Sequence, residues 1–375
     1  MRLRIERARL LNALSHVQNV VERRTTIPIL ANVKLEAQAD ELLLTATDQD
    51  VALALREPAA VEAPGATTVG ARTLFELVRK LPEGAEVSLA HRGDADAAPT
   101  LVLEAGRARI ELPTLPAQDF PPFGEEALDV RFQLATADLA RLIDKTRFAI
   151  STEETRYYLN GIHLHVHGRE AAAVLRAVAT DGHRLARIEL ALPEGAAAMP
   201  PIIVPRKTVQ EARKLVEEGS GEVVVEVSLS RIRFAVDGRV LTSRLIDSSF
   251  PDYEKVIPKE YKRCAELSVK EFRAAVDLVS TISTDRSRTV KLSFKDETVV
   301  ISSTSAEVGS ATESVDVSYE GDPLDIGFNA RYILDMLQEV ESDRVRLEMN
   351  SEVEPIVMRD PGDASLLYVL MPVRV

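Results

Sequence analysis

One apolar spacing recurs three times along the chain. Ile5, Leu10 and Leu14 stand at steps of five and then four, and so do Leu134, Leu139 and Ile143, and Leu267, Phe272 and Val276. The starting residues lie 129 and 133 positions apart, and each closes a short alternating segment: Leu3-Arg4-Ile5, Phe132-Gln133-Leu134 and Ala265-Glu266-Leu267. A second spacing recurs in the other half of each copy. Val69, Arg72, Leu74 and Leu77 match Val204, Lys207, Val209 and Ala212, and then Phe328, Arg331, Ile333 and Met336, always at offsets of three, five and eight. Period-two alternation running into a helical stripe reads as a strand feeding an amphipathic helix, here twice per copy. Between these points Glu41–Thr45, Glu222–Val227 and Arg344–Glu348 alternate as strands. The first two copies close alike, with Asp119-Phe120-Pro121 and Ser249-Phe250-Pro251 placing Phe-Pro joints 130 residues apart. Proline breaks a ladder and stiffens a connection there. At about 100 to 200 residues per domain the chain has room for two or three cores. The repeat selects three α+β domains, residues 1–125, 126–256 and 257–375, each of two helices packed on antiparallel sheets with pseudo-twofold character.

Composition removes several classes of function. At 45% hydrophobic and 28% charged residues the chain is ordinary globular material. No apolar run approaches the roughly 18 residues of a spanning helix. The opening Met1-Arg2-Leu3-Arg4-Ile5-Glu6 alternates charge where a signal peptide needs an apolar stretch. A cytoplasmic protein without membrane attachment is expected. Cys264 is the single cysteine, so neither an intrachain disulfide nor a multi-cysteine zinc site can form. Asp181 and His183 invite an enzymatic reading, but Asp181-Gly182 has the chemistry of a tight turn, and no phosphate-cradling glycine loop or nucleophile elbow accompanies it. His163, His165 and His167 alternate on a strand and so share one face, about 7 Å apart. They are expected to be solvent-facing strand residues rather than metal ligands. No catalytic residue, metal or cofactor is expected.

The net charge of −13 would by itself repel nucleic acid. Its distribution says otherwise. Residues 6–24, 72–80 and 206–217 each carry +2 and residues 138–147 carry +1, whereas 270–278 are neutral and 331–339 carry −1. The six helical segments therefore hold +6 and the remainder −19. If equivalent helices face one way, Arg72, Arg79, Lys80, Arg141, Lys145, Arg147, Lys207, Arg213 and Lys214 converge on a surface that meets phosphates without reading bases. A domain of about 125 residues is about 35 Å across, and six such bodies in a ring enclose a hole of about that width. That admits duplex DNA. Six domains means two chains closed head to tail.

The strings Arg156-Tyr-Tyr-Leu-Asn-Gly161, Thr180-Asp-Gly-His-Arg-Leu185, Val204-Pro-Arg-Lys207, Ser249-Phe-Pro-Asp-Tyr253 and Met371-Pro-Val-Arg-Val375 carry a resemblance. In this order they are similar to the bacterial DNA polymerase III beta subunit, the replicative sliding clamps, from Met1 to Val375. The resemblance implies three DNA-clamp domains per chain forming half of a ring, a non-catalytic processivity factor, and DNA contacts at Arg24, Arg72, Arg156, Tyr157 and Tyr158. Aromatic faces suit such a place because they rest on a sugar or base without demanding a sequence. It implies a pocket for short peptides of the polymerase III catalytic subunit, the clamp loader, and other polymerases and repair proteins. Its residues here are Leu159, Thr180, Gly182, His183, Arg184, Leu185, Pro251, Lys255, Val256, Val353, Pro355 and the run Val369, Leu370, Met371, Pro372, Val373, Arg374, Val375. It also implies a head-to-tail homodimer in which Ile110 and Leu112 of one chain meet Thr281 and Ile282 of the other. Two departures stand out: Val375 replaces a frequent Leu, and Glu153-Glu154 set two anions before the tyrosine pair.

Overall fold

A computed structural model describes the chain apart from residues 23–24, 94–97, 124–127 and 284–287. Its α-helices are α1 (Arg7–Val20), α2 (Ala71–Lys80), α3 (Thr136–Arg147), α4 (Arg206–Glu218), α5 (Val269–Ser280) and α6 (Ala330–Gln338). Each begins two residues after a repeated apolar position: Ile5, Val69, Leu134, Val204, Leu267 and Phe328. The last inward residue of a strand thus sets the phase of the helix that follows. Leu10, Leu14, Leu74, Phe272 and Val276 are fully buried, and Leu139, Ile143, Val209 and Ile333 nearly so. The repeated spacing is the spacing of core positions, each such side chain contributing about 1.5–3 kcal/mol.

Two compact units make up the chain. One comprises Met1–Leu139, Pro193–Pro200 and Gln210–Leu245, the other Ala140–Leu192, Pro201–Val209 and Ile246–Val375. The first holds a 13-stranded sheet and the second a 12-stranded sheet. The division cuts the middle repeat because each sheet runs through a repeat boundary. In the first unit strand Arg239–Arg244 pairs antiparallel with Val51–Pro58, setting Leu241 opposite Leu53. In the second, Asp363–Leu370 pairs with Arg184–Ala191, setting Val369 opposite Leu185. Main-chain hydrogen bonds cross both joints, so the last strand of one repeat becomes part of the sheet of the repeat before it.

Helices cover these sheets. In the first unit α1 and α2 pack on each other, and α1 lies on strands Glu41–Thr47 and Val51–Pro58. In the second unit α5 and α6 pair, with α5 over Thr298–Ser305 and Gly309–Glu320. Arg7, counted above among the helical cations, donates to the carbonyls of Val78 (3.2 Å) and Arg79 (2.7 Å) and so caps the last turn of α2. Ser268 and Asn329 accept from Glu271 N and Arg331 N at the starts of α5 and α6.

Candidate functional site

The residues of the expected peptide pocket all lie in the second unit, and several of them adjoin one another. Thr180, Asp181, Gly182 and His183 form the turn into strand Arg184–Ala191. Asp181 Oδ1 accepts from His183 N (2.9 Å) and Arg184 N (3.0 Å), and Gly182 holds a positive φ of 88°. Strand Ile356–Asp360 pairs with Asp363–Leu370, Ile356 opposite Leu370 and Val357 opposite Val369. Continuing that register brings Pro355 opposite Met371, whose N–H donates to His183 O at 2.9 Å. Met371 therefore lies between the turn and Pro355. Beneath them Val178, Leu185, Tyr253, Val357, Leu367 and Val369 form one buried apolar cluster, flanked by Phe250, Ile257 and Tyr261. Leu159 and Leu370 are buried as well, whereas Pro251, Lys255, Val256, Val353 and Met371 are exposed. An apolar floor with exposed apolar rim residues and few polar groups suits a Leu or Phe anchor.

Arg184 is the polar centre of this site. Its guanidinium is nearly buried, donates to Asp335 (2.6 Å), Phe148 O (2.6 Å) and Asp181 (3.1 Å), and lies 4.3 Å over the ring of Tyr332. Tyr332 in turn stacks with His183, ring centres 6.3 Å apart. Sequence reasoning missed Tyr332 and Asp335, both on α6. The available signal was positional, since Tyr332 stands where the other two copies carry Thr73 and Thr208. Within the run Val369 to Val375, the last residues also have partners outside the turn. Val373 N donates to Gly327 O (2.9 Å), and a side chain on Gly327 would meet Val375 Cγ1 at 2.3 Å. Beyond Met371 the tail thus turns onto strand Leu324–Asn329, and Arg374 and Val375 line a separate cavity of about 600 Å³ with Lys291 and Ser302.

His163 and His165 are covered rather than solvent-facing, whereas the His167 side chain stays 41% exposed. His163 stacks on Phe250 with centres 4.7 Å apart and planes 7° from parallel, and on His165 at 4.5 Å. His165 Nε2 meets the Tyr253 hydroxyl at 3.0 Å, and His167 Nδ1 lies 3.5 Å from Glu254. Strand Gly161–His167 was read correctly as carrying them on one face, but segment Phe250–Glu254 covers that face. Among the described residues no cluster of His, Cys, Asp and Glu has metal-binding geometry.

The expected DNA-contacting cations divide into exposed and committed groups. Arg72 is exposed and lines a groove of about 440 Å³ with Gln18, Asn19 and Phe75. Arg79 and Lys80 are exposed, Arg79 paired with Glu76 at 2.6 Å. Arg147 and Lys214 are also half exposed, paired with Asp144 (3.1 Å) and Glu211 (2.8 Å). Lys207 is half-buried, and Arg213 lies 3.8 Å from Glu217. Two assignments need correction. Lys145 is buried, its ammonium donating to Glu339 O (2.6 Å) and paired with Glu341 (2.7 Å). Burial pushes the Glu339 carboxyl up against the opposing pull of Lys145. Arg141 is bound to Asp363 and to Ser365 (3.1 Å), holding α3 to the strand that floors the peptide site. Summed helix charge could not separate these from the exposed cations. Arg156 forms a two-pronged pair with Glu153 (2.7 Å each), and its Nη1 lies where a side chain on Gly182 would stand, 2.5 Å away. It belongs with the peptide-site turn. Tyr157 remains exposed beside Tyr158, rings 5.9 Å apart. Arg24 falls outside the described residues.

Three antiparallel helix-on-sheet repeats joined by shared sheets define the DNA-clamp class. The chain matches the DNA polymerase III beta subunit in its N-terminal domain over residues 1–124, its central domain over 133–252 and its C-terminal domain over 254–374. It is 48% identical to the beta sliding clamp of Caulobacter vibrioides and 35% identical to that of Escherichia coli, in each case across all of both chains. The crystal structure of the Caulobacter crescentus clamp matches with a TM-score of 0.97 over 100% of this chain and 99% of that one. A Bartonella birtlesii sliding clamp bound to griselimycin matches at 0.96 with 42% identity, covering both chains fully. The chain belongs to the DNA polymerase III beta subunit family.

Proposed function

We propose that this chain is a sliding clamp: a ring that encircles duplex DNA, holds it without base readout, and tethers DNA polymerase III for processive synthesis. It is a non-catalytic processivity factor. The reading includes boundaries at residues 125 and 256 between its three domains and a cytoplasmic setting. Among the described residues no helix is long and apolar enough to cross a membrane.

The observation that supports ring closure is a rule of strand pairing with one step left over. The last strand of the second repeat pairs with Val51–Pro58 of the first, and the last strand of the third with Arg184–Ala191 of the second. Applied once more, the rule pairs Ala108–Leu115, last in the first repeat, with Gly309–Glu320 of the third. Among the described residues, Ala108–Pro113 is paired on one edge alone, by strand Thr100–Ala105, and Gly309–Asp316 on one edge alone, by Thr298–Ser305. Long unpaired edges invite a partner. Two chains joined head to tail satisfy both edges twice, which makes a closed dimer. Ile110 and Leu112 lie on the first edge. Thr281 and Ile282 follow α5, whose Leu278, 59% exposed, lines a groove with Glu313 and Asp316 of the second.

The proposed peptide pocket receives segments of the polymerase III catalytic subunit, the clamp loader, and other polymerases and repair proteins. Leu278→Asp tests closure. Because Leu278 is exposed in the single chain, the variant should fold normally and run as a monomer at micromolar concentration by light scattering. An unchanged dimer mass would place the joint elsewhere.

A further inference from the structure

The exposed rim residues Pro251, Lys255 and Val256 belong to a segment that no β-ladder holds. It runs from Phe250 through the short 3₁₀ turn Tyr253–Val256, after strand Arg239–Arg244 and before Arg263–Ser268. Side chains hold it instead. Phe250 stacks on His163, and Tyr253, 7% exposed, enters the apolar floor. The Tyr253 hydroxyl accepts from Arg176 (2.7 Å), and its own proton points to His165 Nε2 (3.0 Å). Arg176 also donates to Glu254 (2.7 Å) and Glu189 (2.8 Å) and is almost wholly buried. Arg176 and His165 are direct partners across neighbouring strands. Every clamp therefore rises from strands Gly161–His167, Val174–Thr180 and Arg184–Ala191.

We infer that the His163–His165 stack and the Arg176–Tyr253–Glu254 network position the Phe250–Val256 wall, and thereby set the affinity of the peptide pocket. The inference rests on the peptide-pocket reading above. The histidines act in neutral form. His165 Nδ1 donates to Val166 O (3.1 Å), which leaves Nε2 as the acceptor for the tyrosine proton. A second proton on His165 would turn Nε2 into a donor facing a hydroxyl that already receives Arg176. Around this group stand the cations Arg176 and Arg187, the His167 imidazole (ring centres 6.2 Å from His165) and the anions Glu189 and Glu254. Burial pushes His163 down to about 4, and burial lowers His165 as well. The unfolded chain binds these protons at a higher pH, so the wall's stability rises with pH through this range and is lost as pH falls from about 6.5 toward 4.

The test combines peptide titration with hydrogen exchange on the full-length dimer. The probe is a synthetic peptide containing Gln, Leu and Phe. Tyr253→Phe keeps the ring and removes the hub, and should weaken binding about three- to tenfold, the loss of one or two hydrogen bonds. Dimer mass should not change. Amide exchange should accelerate in residues 250–256 alone. In the His163→Asn/His165→Asn double variant, the fall in affinity between pH 6 and 4 should flatten. Wild-type affinity with unchanged exchange at 250–256 in Tyr253→Phe would overturn the positioning role. A wild-type protein that does not bind the peptide would overturn the pocket reading, and the exchange measurement would still decide whether the network holds the wall.

Discussion

Arg184 and Lys145 show how the same residue type can be structure in one place and surface in another. Arg184 sits between two carboxylates, one backbone carbonyl and an aromatic face. Truncating it removes the cation shared by Asp181 and Asp335, leaving Asp335 only the longer contact with Arg331 (4.0 Å). Arg184→Ala should cost about 3–5 kcal/mol in chemical denaturation, the usual loss when one partner of a buried pair is removed. Lys145→Ala should likewise cost about 3 kcal/mol by stranding Glu339. It should leave DNA binding unchanged. Arg72→Ala should do the reverse, with no loss of stability and a salt slope of DNA binding reduced by about one. A matching loss of DNA affinity for Lys145→Ala would return that side chain to the DNA surface. The sequence could name all three cations but not their partners. Glu339 lies 194 residues from Lys145 and Asp335 151 from Arg184, and nothing local marks either pair.

The elements were far more legible, because each depends on its own pattern. Alternation switching to helical period located the helix starts, and the apolar offsets of the repeat became the core positions. The His163–His167 strand was placed correctly and its environment misjudged. Its covering segment joins from more than 80 positions away, through a segment without periodicity. The partners of the chain's tail were illegible for a similar reason. Its string resembled the family closely, but the space at Gly327 that lets Val373 and Val375 settle there belongs to another strand. Gly327→Ala should displace that tail, because the added methyl would meet Val375 and Val373 O at 2.3 and 2.7 Å. The pocket floor pairs independently through Ile356–Asp360, so thermal stability should fall by about 1 kcal/mol or less while amide exchange at Val373 rises sharply. Protection at Val373 equal to wild type would show that the tail docks without that close approach.

For the whole molecule, the repeat explains why so acidic a chain can still work on DNA. On the proposed reading, a few exposed cations on the helices would provide weak, salt-sensitive attraction, and closure rather than affinity would provide retention. Arg156 and Arg141, two of the expected DNA cations, are instead built into or beneath the peptide site, whereas Arg72, Arg79 and Lys80 stay exposed on α2. The direct test is retention after loading. The protein should be placed on nicked circular DNA by a clamp loader and passed through a sizing column in high salt, before and after the circle is cut once. Encirclement predicts that the chain stays with the intact circle and leaves the linear form. Equal release from both would contradict it.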